Sequence, residues 1–142
     1  MARITAELTA GTLVSISNGR HEWRADEPPQ AQGTDLAPNP YEQLLGALAA
    51  CTCITLSLYA QHKGIALKSV VTSYEFQRVP ADQQEGEVKV RAGRIEQITS
   101  KVRIAGDFDE AQRKRLAQVA ERCPVHKTLA GGVRLVDQVE FA

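Results

Sequence analysis

Apolar residues come in three kinds of run: short segments at the start, one long stretch apolar on nearly every helical face, then segments with a partial period of two. Arg3 to Glu7, Thr12 to Ser17 and His21 to Ala25 are short strand candidates, divided by Thr9-Ala10-Gly11 and by Asn18-Gly19. Asn-Gly is a strong hairpin signal because both residues tolerate the positive φ of a tight reversal. A small antiparallel sheet is expected. The prolines and glycine of Asp26-Glu27-Pro28-Pro29-Gln30-Ala31-Gln32-Gly33 predict a surface loop lasting until Asn39-Pro40. Asn39 is a natural N-cap and Pro40 a natural first helical residue, so a helix should open there, run to about Gln61 or His62 and end at Gly64. A helix apolar on nearly every face belongs inside a protein or inside an interface.

Beyond it, Leu67 to Arg78 and Glu87 to Arg91 show the partial alternation, joined by the polar Pro80 to Gly86 segment and continued by Ile98, Ser100, Val102 and Ile104. These predict strands of a second, larger antiparallel sheet. Phe108 to Arg122 reads as an amphipathic helix with Ala111, Leu116, Val119 and Ala120 inward, stopping before Pro124. A short helix from Pro124 to Ala130 follows, capped by Gly131-Gly132. Val133, Leu135, Val139 and Phe141 then point the same way along an expected last strand.

A chain of 142 residues suits one compact domain covering 1–142. Lysine plus arginine balances aspartate plus glutamate at 17 each, so no overall field recruits nucleic acid or an anionic membrane. The N-terminal residues lack a signal-peptide core, and polar residues break the longest apolar stretch before it could span a bilayer. The expected location is the cytoplasm.

Three cysteines do not make a secreted-type disulfide framework, so in a reducing compartment they are reactive, metal-binding or core. Cys51 reads as a thiol buried in mid-helix, within Leu44-Leu45-Gly46-Ala47-Leu48-Ala49-Ala50-Cys51. Cys51 and Cys53 are separated by about 200° around a helix and cannot bridge or chelate together. Cys51 shares a face with Leu44, Leu48, Thr55 and Leu58, whereas Cys53 shares one with Leu45, Ala49, Leu56 and Ala60, which reads as core. Cys123, directly before Pro124, sits where a helix should start, and unpaired N–H groups there favour a thiolate. Serine or aspartate would cap better, so the position looks chosen for sulfur. Cys123-Pro124-Val125-His126 holds half of a zinc spacing, but His21 and His62 are isolated and the other half is missing. His126 is expected on the first turn of the short helix, donating a hydrogen bond or packing.

Pro40 to Thr52, Cys123-Pro124-Val125-His126-Lys127-Thr128-Leu129, Asp26-Glu27-Pro28, Tyr59 to Gly64 and Arg94-Ile95-Glu96 together resemble the osmotically inducible and organic hydroperoxide resistance (OsmC/Ohr) family, and its OsmC-like branch in particular. The resemblance implies an α+β fold in which two chains intertwine, long central helices being wrapped by antiparallel β-sheets, with two active sites at the dimer interface. It also implies thiol peroxidase activity. Cys51 matches the peroxidatic cysteine and Cys123 the resolving one, a dithiol reductant, usually lipoyl-type in the family, resets the pair, and no metal, flavin or haem takes part. An apolar site around Leu44, Leu48 and Leu58 would suit organic hydroperoxides.

The chain departs from that pattern at the activating pair. Tyr41 stands where the family's peroxidases carry a glutamate after Asn-Pro, with Glu42 one step later, and Leu8 to Thr12 contains no arginine. Arg20, in the next turn, or Arg24 is the candidate replacement cation. Glu42 and Cys51 lie roughly 13 Å apart along a helix rising about 1.5 Å per residue, so any contact must cross a two-fold dimer. Glu42 could equally serve as a first-turn acid complementing the helix dipole. Two other readings stand beside the peroxidase: a non-enzymatic OsmC-like small-molecule binder or thiol redox sensor, and a zinc-stabilised interaction domain.

Overall fold

Asn18 turns the second hairpin of the chain, its Oδ1 accepting from the N–H groups of Arg20 and His21 at 2.9 and 2.8 Å. The computed structural model describes residues 1–83 and 88–141. Its contacts separate two compact units, Met1–Gly46 and Ala47–Ala142.

In the first unit, β1 (Thr5–Ala10), β2 (Leu13–Ser17) and β3 (Glu22–Ala25) form an antiparallel meander in the order β1-β2-β3, as the turn signals predict. Ala25 and Asp26 are its buried residues. The Asp26 carboxylate, only 1% exposed, accepts from Thr12 Oγ1 on the strand side and from Thr34 Oγ1, Leu36 N and Glu27 N on the loop side. One carboxylate thus organises the loop before the long helix, which has too few apolar residues to pack itself. Gly33 is required there because a Cβ would fall 1.8 Å from the Glu27 carbonyl oxygen.

The long helix α1 spans Pro40–Lys63. Asn39 Oδ1 accepts from Glu42 N at 2.9 Å while Glu42 Oε2 accepts from Asn39 N at 2.8 Å, a reciprocal capping box. At the other end Gly64 takes a left-handed φ of 64°, and the Gly64 N–H to Gln61 and Ile65 N–H to Ala60 bonds complete a Schellman motif. By length and composition alone α1 is long and apolar enough to cross a membrane, a test that a packed core helix passes as well. Leu48, Thr52, Leu56 and Ala60 nevertheless form a buried line along it.

In the second unit β4 (Ala66–Pro80) and β5 (Arg94–Asp107) pair antiparallel from Ala66↔Asp107 to Pro80↔Arg94. The expected larger sheet is therefore longer in its strands but contains two of them among the described residues. Val70, Thr72, Tyr74 and Phe76 share the half-buried face, as their alternation predicts. Of the expected Glu87–Arg91 strand, Glu87 lies outside the described residues and Val88 to Val90 form no strand. Ala92 and Gly93, at φ 48° and 70°, reverse the chain so that Arg91 bridges Arg94, and β5 pairs with β4 instead.

Helices α2 (Glu110–Ala120) and α3 (Pro124–Gly131) follow, α2 beginning with a capping box between Asp109 and Gln112. Leu116 of α2 is buried and Arg115 lies 5.8 Å over the Tyr59 ring of α1, whereas Ala111, expected inward, is exposed. The last strand expected at Val133 to Phe141 is absent: these residues have no strand partner among the described residues, and all are exposed.

Accepting four hydrogen bonds holds the Asp26 carboxyl well below the usual carboxylate range, led by Thr12 and then Thr34. A depressed folded-state value stabilises the fold above the unfolded value near 3.9 and is lost as pH falls through the folded value. Asp26→Asn should therefore lower Tm at neutral pH, and the gap to wild type should narrow as pH drops below about 4, as thermal melts across pH would measure.

Candidate active site

The buried line of α1 is apolar except at Thr52, which is 1% exposed. A hydroxyl buried this way costs free energy unless it is hydrogen-bonded, and Thr52 finds two partners. Tyr74 Oη, from the inward face of β4, lies 2.9 Å from Thr52 Oγ1. Thr52 Oγ1 in turn donates to Cys123 Sγ at 3.6 Å.

Cys123 reaches that point because it ends the α2–α3 connection in an extended conformation, φ −64° and ψ 152°, with Pro124 opening α3. Its Sγ also accepts from His126 N at 3.3 Å, so the sulfur caps α3 as its position before proline predicts. Cys123 is 0% exposed, its sulfur sitting between Thr52 Oγ1 and the first turn of α3. Tyr74, Thr52, Cys123 and the His126 amide form a continuous polar chain beneath α1.

Cys51 precedes Thr52 and is half-buried, not enclosed as expected for mid-helix. One residue step turns a helix by about 100°, which carries Cys51 off the buried line to one flank. Cys53 lies on the other flank, also half-buried, with its Sγ 3.9 Å from Thr72 Oγ1. Leu56 and Ala60 of the expected core face are buried, but the buried line reaches them through Leu48 and Thr52, between the two cysteines, and leaves Leu45, Ala49 and Cys53 half-buried. All three thiols are free.

Cys123 is held against Thr52, the residue that follows Cys51, across a sequence separation of 71 positions. The remaining candidates belong to residues 1–46. Glu42 spends its carboxylate on the Asn39 cap. Arg20 is exposed in the β2–β3 turn and makes no ion pair among the described residues. No group of His, Cys, Asp and Glu side chains among the described residues is arranged to hold a metal.

His126 and Tyr74 also face open space. A cavity of about 530 Å³ is lined by Leu48, Tyr74, Ile98, Ser100, His126 and Leu129 among others. Another of about 310 Å³ shares Tyr74, Ser100 and His126 and extends to Ala117 and Ala120 of α2. Thr52 and Tyr74 join the site in the structure without being candidates from the sequence. Their signal was available: Thr52 is the polar member of the four-residue spacing Leu48, Leu56, Ala60, and Tyr74 falls on the inward alternation of β4.

A family model described as OsmC-like protein matches residues 33–136. No curated protein matches the chain. Among solved structures, it is similar to an OsmC-like protein from Mycoplasma pneumoniae, at 25% identity and TM-score 0.71 over 92% of this chain and 88% of that one. It is also similar to an organic hydroperoxide resistance protein OsmC from Legionella pneumophila, at 19% identity and TM-score 0.64, covering 92% and 90% of the two chains. A third similar structure is the organic hydroperoxide resistance protein OhrB of Bacillus subtilis, at 20% identity and TM-score 0.57, covering 89% and 88%. These share the α+β fold of helices and antiparallel sheets.

If Tyr74, Thr52 and Cys123 act as one chain, Thr52→Val and Tyr74→Phe should each destabilise the protein by about 1 kcal/mol in denaturant titrations, and the double variant by less than their sum.

Proposed function

The chain belongs to the OsmC-like protein family, and from that premise we propose that it is a homodimeric, cysteine-based reductase of organic hydroperoxides. The observation that carries the reading is the seat of Cys123: a buried sulfur, held by Thr52 Oγ1 and by the first turn of α3, beside the helical turn that carries half-exposed Cys51. The Cys51 thiolate attacks the terminal oxygen of the hydroperoxide. The O–O bond breaks, the alkoxide takes a proton and leaves as the alcohol, and Cys51 is left as a sulfenic acid. The Cys123 thiol displaces the sulfenic oxygen as water to give a Cys51–Cys123 disulfide, which a dithiol of the lipoyl type returns to two thiols.

Leu48, Ile98 and Leu129 in the larger cavity favour an apolar substrate tail. Homodimerisation is supported by the apolar positions of α1 that one chain leaves open, including Ile54 at 57% and Leu58 at 60% exposed. The balanced charge argues against nucleic acid, and the reaction suits the cytoplasm, where reduced thiols persist.

A second reading has its own observation. With Tyr41 after Asn-Pro and the Glu42 carboxylate bound to Asn39, no acid of this chain is free in that turn to assist a cation at Cys51. A small-molecule binder or thiol sensor of the same family would be built this way.

Single-turnover oxidation by cumene hydroperoxide separates the two. The peroxidase loses the Cys51 and Cys123 thiols rapidly, Cys123→Ser traps a dimedone-reactive sulfenate, and Cys51→Ser consumes no peroxide. Sluggish thiol loss unchanged by Cys51→Ser assigns the binder. In sedimentation velocity the wild type should run as a dimer, and Leu58→Glu should shift it toward monomer.

A further inference from the structure

The two sulfurs of the proposed pair differ in their surroundings, and that difference sets the direction of their reduction. Cys51 is only partly buried, while Cys123 is 0% exposed and its sulfur already has two donors, Thr52 Oγ1 at 3.6 Å and His126 N at 3.3 Å. Thiol–disulfide exchange proceeds by attack on one sulfur and departure of the other, and its rate depends on access to the first and on stabilisation of the second as a thiolate. We propose that the dithiol reductant attacks Cys51, that Cys123 is the leaving thiolate, and that Thr52, oriented by Tyr74, is the positioning residue that stabilises its departure. The inference rests on the disulfide of the proposed function.

In the first step a reductant thiolate bonds to Cys51 Sγ, the Cys51–Cys123 bond breaks, and its electron pair leaves on Cys123 Sγ, where the Thr52 hydroxyl and the His126 amide receive the charge. In the second step the other thiolate of the dithiol attacks the reductant sulfur of the mixed disulfide. This closes a cyclic disulfide and expels the Cys51 thiolate, and one proton taken up by each protein sulfur completes the two-electron reduction. The single Thr52 hydroxyl proton goes to sulfur, which makes Tyr74 Oη, 2.9 Å from Thr52 Oγ1, the donor to that oxygen. Cys53 lies on the opposite flank beside Thr72 and takes no part.

The test starts from protein oxidised with diamide, which forms the disulfide without any peroxidase activity, in a Cys53→Ser background. Limiting 2-mercaptoethanol followed by N-ethylmaleimide should leave mercaptoethanol on the Cys51 peptide and maleimide on the Cys123 peptide, read by mass spectrometry. With dihydrolipoamide, Thr52→Val should slow reduction by about tenfold and Thr52→Ser should restore it, the loss of one hydrogen bond to a departing thiolate. Tyr74→Phe should fall between them. A merely structural role for Thr52 predicts no rescue that tracks the hydroxyl. Mercaptoethanol on Cys123 with the disulfide intact overturns the assigned direction alone. A Thr52→Val rate equal to wild type overturns the role of Thr52. If diamide yields no Cys51–Cys123 disulfide, the pairing itself fails, and with it both this inference and the peroxidase.

Discussion

Burying a hydroxyl on the apolar seam of a helix obliges the surrounding fold to bring it partners, because neither water nor the helix's own backbone need supply them. Thr52 imposes that obligation on residues 47–142. A strand must place a phenol there and a connection between helices must place a sulfur there, and β4 and the α2–α3 link do so with Tyr74 and Cys123. Had the position been alanine or valine, the same line could have buried against any apolar surface. Threonine makes the packing of α1 specific, in the sense that a shifted register would strand a buried polar atom.

The same requirement accounts for the contrast between the thiols. Centring the buried line on Thr52 rotates Cys51 and Cys53 onto opposite flanks, and so leaves both half-open. Cys123 meets the line head-on and loses all its exposure. Chemistry that needs one sulfur reachable by a small molecule and another kept from solvent is served by this placement without any further device.

Much of the fold was legible because its signals are local. Asn18-Gly19 marks a hairpin through positive φ, Asn39-Pro40 and Gly64 bracket α1, and a cysteine before Pro124 reads as a cap, each decided within a few residues. The site was half legible. Residue type and family likeness single out Cys51 and Cys123, but which helical face of α1 is buried depends on contacts made far along the chain, so the expected core face holds at Leu56 and Ala60 and is one residue off at Cys53. Glu42 shows the same limit from the other side: Asn-x-x-Glu is itself a capping signature, and its local explanation needed no distant partner. Pairing was the least legible property. Val133 to Phe141 has the alternation of a strand, but alternation specifies a face and not a neighbour.

That C-terminal stretch, with Phe141 at 95% exposure, and the open flanks of α1 bear on how the molecule must be handled as a thermodynamic object. In the dimer proposed above a partner chain covers this apolar area, and folding and association become terms of one equilibrium. A melting temperature for such a chain has no meaning apart from the dilution at which it is taken.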